Sequence, residues 1–122
     1  MYITLLKSKI HRVVVTGSDK EYEGSLILDS NLMTAAEMVE YEKVDLWNVS
    51  NGERFSTYLI PGKQGEVIVN GAAAWRAKPG DKLIVSSFAT IEREKVQNWT
   101  PTIVILDGEN KISKIKSKNQ KA

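Results

Sequence analysis

The sequence contains no cysteine, a single histidine and only three prolines. Without cysteine there are no disulfides and no thiolate nucleophile. One histidine leaves too few donors for a protein zinc site, so no metal is expected. Apolar stretches such as Ile103 to Leu106 fall far short of the roughly 20 residues that a membrane helix needs, and no membrane partner is expected. The opening residues Met1-Tyr2-Ile3-Thr4 lack the charged-then-apolar layout of a signal peptide, which makes a cytoplasmic location the expectation. Excess charge is also scarce. The net charge is +2, and five lysines with no acid fall in residues 111–122, so the rest of the chain is net acidic. That terminal stretch reads as a flexible basic tail. It has no aromatic residue to stack on bases, so nucleic acid is not expected as a partner.

What remains is ordinary globular composition, 42% hydrophobic and 26% charged. A chain of 122 residues suits a single domain, one that hides roughly two thirds of its unfolded surface. Tyr2 to Thr16 reads as one long bent strand, broken at Gly17-Ser18-Asp19, and Ser25-Leu26-Ile27-Leu28 starts the next. Thr34 and Glu37 form a capping-box pattern with Met33 and Met38 as a hydrophobic staple, predicting a short helix to about Tyr41. Strands are expected at Val44–Val49 and Arg54–Leu59 about an Asn51-Gly52 type I′ turn, then at Val67–Val69. Helical turns are expected at Ala72–Ala74 and Glu92–Gln97, and strands at Lys82–Ala89 and Thr102–Leu106, the last of the chain. Many short strands with short connections predict a mainly β chain closed into a barrel with short helices.

The pair Gly24-Ser25 carries unusual chemistry. A serine hydroxyl that follows glycine can attack the preceding carbonyl, because Gly24 has no side chain in the way and tolerates strained φ/ψ. The peptide would become an ester, elimination would leave dehydroalanine at position 25, and hydrolysis would turn this into a pyruvoyl group. Alone, a Gly-Ser pair reads as an ordinary turn or strand start. Tyr58 follows Arg54 by four residues, so strand alternation puts both side chains on one face. There a guanidinium could hold a carboxylate and a phenol, protonated at neutral pH, could donate a proton. Each also fits a plain surface strand.

Lys9-Ile10-His11-Arg12, Tyr22-Glu23-Gly24-Ser25, Trp47-Asn48-Val49, Asn51-Gly52-Glu53-Arg54-Phe55-Ser56-Thr57-Tyr58 and Asn70-Gly71-Ala72-Ala73-Ala74 stand in a fixed order. This series closely resembles the aspartate decarboxylase family, pyruvoyl-dependent bacterial enzymes that make β-alanine for pantothenate. The resemblance runs from Lys7 to about Asp107. It implies a double-psi β-barrel, assembled as a homotetramer with active sites between subunits. It implies self-cleavage into 1–24 and 25–122 and a covalent pyruvoyl cofactor derived from Ser25, a ketone that takes up the amine of L-aspartate as a Schiff base and accepts electrons as carbon dioxide leaves.

By matching positions, Arg54 and Lys9 hold the substrate carboxylates, Tyr58 donates the proton, and Thr57 binds substrate and assists processing. Gly71, Ala72 and Ala73 form a substrate-binding segment whose small side chains let backbone N–H groups approach an oxygen, with Asn70 as a hydrogen-bonding neighbour. His11, Tyr22 and Trp47 match supporting positions, although a lone histidine or tryptophan is more often a packed residue. Alternation places Thr57 opposite Arg54 and Tyr58, a conflict that a bulge or an intersubunit site would resolve. The family usually follows the triple alanine with arginine, whereas here Trp75 precedes Arg76. Two other readings stay open: a non-enzymatic β-barrel binding module using the basic tail, and a related barrel that takes a different acidic amino acid.

Overall fold

The aliphatic and β-branched run Tyr2–Val14 forms β1 in the computed structural model, which describes residues 1–117. There follow β2 (Gly17–Asp19), β3 (Ser25–Asp29), α1 (Ser30–Ala35), β4 (Lys43–Asn48), β5 (Arg54–Gly62) and β6 (Val67–Asn70). A 3-10 turn (Gly71–Trp75), β7 (Lys82–Glu92), a second 3-10 turn (Arg93–Lys95), β8 (Thr102–Leu106) and β9 (Ile112–Lys116) complete the order. All nine strands join in one sheet with the spatial order β2-β6-β3-β5-β4-β7-β1-β8-β9.

Only Val15 and Thr16 separate β1 from β2, yet β2 lies at one edge of the sheet and β1 near the other. The Thr16 N–H donates to the Val67 carbonyl at 2.8 Å, and Thr16 Oγ1 accepts from the Val67 N–H at 2.9 Å, fastening the crossing to β6. The strands between must therefore roll, in keeping with the mainly β, double-psi β-barrel architecture expected. Ile10, Leu26, Leu28, Leu46, Leu59 and Val85 fill the interior with no exposed surface, each contributing about 1.5–3 kcal/mol by burial. Ile10 and Val13 both point inward although three residues apart. A register shift between them, with Arg12 at φ 72°, resets the alternation.

The elements differ from expectation where side chains choose between local options. Gly17–Asp19, read as a break, is a short strand parallel to β6. The helix starts earlier than Thr34: Asp29 caps it, its Oδ1 accepting from the Asn31 N–H at 2.8 Å, while Thr34 Oγ1 donates back to the Ser30 carbonyl. Asn51-Gly52 does not make a two-residue type I′ turn. Gly52 has φ 80° but Asn51 does not take positive φ, and the Asn48 N–H closes a longer loop onto the Glu53 carbonyl at 2.8 Å. Thr102–Leu106 is not the last strand. The tail expected at 111–122 contains β9, antiparallel to β8 over Ile112–Lys116, and residues 118–122 lie outside the described residues.

Candidate active site

β6 lies between β2 and β3, and one residue of it anchors both neighbours. Asn70 is the register partner of Asp19 on β2 and of Ser25 on β3. The intervening residues Lys20 to Gly24 therefore arch across the end of β6, and both feet of the arch stand on Asn70. Immediately after Asn70 the chain turns at Gly71, whose φ is 70°. A Cβ on Gly71 would lie 2.5 Å from Gly24 Cα, 2.7 Å from Gly24 N and 3.1 Å from the Tyr22 carbonyl oxygen. Only a residue with no side chain lets the two backbones meet so closely, and the positive φ makes the same demand. The Gly24–Ser25 linkage is thus pressed against the start of the 3-10 turn that holds Ala72 and Ala73, the former exposed and the latter packed against the core.

Ser25 is only 4% exposed and Asn70 2%, while Gly24 and Tyr22 are exposed. Directly opposed residues of an antiparallel pair share a face, so Ser25 and Asn70 point together, and the next pair, Leu26 with Val69, points into the core. On the other side of β3, Leu26 aligns with Leu59 of β5, which brings Tyr58 alongside Ser25 one step upstream. The structure thus gathers Tyr22, Gly24, Ser25, Tyr58, Asn70 and Gly71 around one linkage.

A second group lies apart. Arg54 and Trp47 are cross-strand partners, with the Arg54 guanidinium carbon 4.7 Å from the Trp47 ring centroid, in a shallow groove shared with Asp45, Phe55 and Ser56. Arg54 and Tyr58 share a face, as alternation predicts, but four residues of strand put about 13 Å between them. Lys9 pairs with Ser86, which pairs with Asp45, which pairs with Ser56, so Lys9 lies three strands across from β5. His11 lies two residues further along β1, half-buried. Burial lowers its pKa from the ordinary value, helped by the charges of Lys9 and Arg12.

Thr57 is on the face opposite Arg54 and Tyr58. The β4–β5 register runs without interruption from Lys43–Tyr58 to Trp47–Arg54, so no bulge turns Thr57 toward them. Sequence reasoning missed one contact at the arch, Lys20 Nζ lying 3.6 Å from the Trp75 ring centroid, because the two residues are distant in sequence and neither belongs to a motif. Among the described residues, no helix is long and apolar enough to cross a membrane, and no cluster of histidine and carboxylates could hold a metal ion.

Comparison with known proteins gives a consistent picture. A family model described as aspartate decarboxylase matches residues 1–113. The chain is 51% identical to the aspartate 1-decarboxylase of Ralstonia nicotianae, over 96% of this chain and 99% of that protein. It is 48% identical to the enzyme of the same name from Hydrogenobaculum sp., over 92% and 90% of the two chains. Against that of Persephonella marina it is 50% identical, over 89% and 79%.

Proposed function

The chain belongs to the aspartate decarboxylase family, and from that premise we propose that it converts L-aspartate to β-alanine and carbon dioxide after cleaving itself between Gly24 and Ser25. The observation that carries the proposal is the arch over Asn70, with Gly71 seated against Gly24. Ser25 Oγ attacks the Gly24 carbonyl carbon and the amide nitrogen departs, giving an ester. Elimination breaks the bond between Ser25 Cβ and oxygen, releases the Gly24 carboxylate and leaves dehydroalanine, which takes up one water and loses ammonia. The product is a pyruvoyl group at residue 25.

The residues present suit that group. Ser25 begins a strand paired on both sides, so a new N-terminus there stays fixed by sheet hydrogen bonds. Gly71 lets the Gly24 backbone lie directly against the start of the 3-10 turn, where a Cβ would intrude on Gly24 Cα and N. A pyruvoyl ketone supplies the electron sink for decarboxylation, which no ordinary side chain offers. Asn70 is placed to hydrogen-bond beside it, and Ala72 and Ala73 leave backbone N–H groups open to a substrate oxygen. Tyr58, alongside residue 25, is the proton donor to the substrate carbon after carbon dioxide leaves.

Arg54 and Lys9 are the cations for the two substrate carboxylates, with His11, Trp47 and Tyr22 shaping the surroundings. Their distance from Ser25 within one chain supports a site completed by a second copy, and family membership supports the homotetramer; Thr57 takes its substrate and processing role under the same arrangement. Family membership also supports a place in β-alanine supply for pantothenate, in the cytoplasm. The test is Ser25→Ala. It removes the hydroxyl that starts the acyl shift, so the variant is expected to remain one chain and to have no decarboxylase activity. An active Ser25→Ala protein would refute the mechanism.

A further inference from the structure

The residues Lys20 to Gly24 that carry the scissile linkage are all exposed and thinly held. The Tyr22 N–H reaches the Asp19 carbonyl at 3.4 Å and the Glu21 N–H reaches Asp19 Oδ1 at 3.0 Å, both tying the arch to its β2 foot. A loop so lightly tethered samples many arrangements, whereas attack by Ser25 Oγ needs one. One further contact spans the arch. Lys20 Nζ stands 3.6 Å from the centroid of the Trp75 ring. Trp75 ends the 3-10 turn whose first residue, Gly71, supports Gly24.

Trp75 is 74% exposed, so burial does not account for where its ring lies. Lys20 takes part in none of the three ion pairs among the described residues, leaving the indole face as its partner. Among aromatic rings, the indole is the best partner for an ammonium group. The contact joins the exposed arch to the wall against which the linkage is pressed. We propose that Trp75 and Lys20 are positioning residues for self-cleavage, a latch that holds the arch in its reactive arrangement. Neither touches the reacting atoms. The inference rests on the self-processing reading and adds a residue pair to it.

The test follows the cleaved fraction of freshly purified full-length chain with time, by denaturing mass measurement. Trp75→Ala and Lys20→Met are each expected to slow cleavage about two- to fivefold, the range for losing an exposed cation–π contact. The double variant should be no slower than the slower single, because a shared contact is lost only once. Trp75→Tyr and Lys20→Arg keep a ring face and a cation, and should recover most of the rate. A single variant that cleaves at the unmodified rate, or a double variant whose slowing is the product of the two, would overturn the latch while leaving self-cleavage intact. Unmodified chain that never cleaves would refute the self-processing reading and the latch with it.

Discussion

At the scale of single residues, Gly71 is the position on which the geometry of the proposed cleavage site turns. Gly71→Ala would put a methyl group 2.5 Å from Gly24 Cα at a φ of 70°, so either the arch or the turn must move. A displacement on the order of 1 Å can cost about a hundredfold in rate, so the variant is expected to cleave at least about tenfold more slowly. Electrophoresis of the chain over time checks this, and maturation at the normal rate would show that the close approach is unimportant. His11 offers a cleaner reading, because it is the only imidazole in the protein. With its pKa lowered by burial and by Lys9 and Arg12, its NMR titration midpoint should fall below the ordinary histidine value. Because the unfolded chain then takes up the proton first, the stability His11 contributes is complete above the ordinary histidine range. It is lost as pH falls toward the folded pKa. A midpoint above the ordinary value would contradict the burial argument.

At the scale of elements, the end of α1 shows why the sequence pattern pointed to the wrong end of the helix. The Met38 N–H donates to the Met33 carbonyl at 2.8 Å, and the Glu37 N–H donates to that of Thr34 at 3.0 Å, with Glu37 at φ 60°. This is a Schellman stop, and the two buried methionines are its accompanying hydrophobic contact, not a staple at a helix start. Both motifs place apolar residues several positions apart beside a polar pair, so spacing alone does not separate them. Glycine is the usual residue at the left-handed position. Glu37→Gly is therefore expected to raise stability by about 1 kcal/mol, relieving the cost of left-handed φ. Against this, among the described residues, stands a 3.4 Å contact from Thr102 Oγ1 to the glutamate. An increased urea midpoint with unchanged slope would verify this, and a decrease would show that the Thr102 contact matters more.

At the scale of the whole molecule, strands were legible because β-branched runs and turn residues mark them locally, as in β1, β3 and β7. The family was legible because five short motifs keep one order. The arrangement that gives the motif meaning was not. Asp19 and Ser25 both meet Asn70 across a long separation in sequence, and Lys20 meets Trp75 likewise; such pairings are set by the rolling of the sheet, which no local pattern encodes. Rolling also puts Arg54, Trp47, Lys9 and His11 at a distance from Ser25. All of this depends on one covalent event. The direct measurement is the denatured mass of matured, active protein. The account predicts fragments of 24 and 98 residues, the longer one beginning with a pyruvoyl group in place of serine. Protein that consumes aspartate while every chain retains its full 122 residues would contradict it.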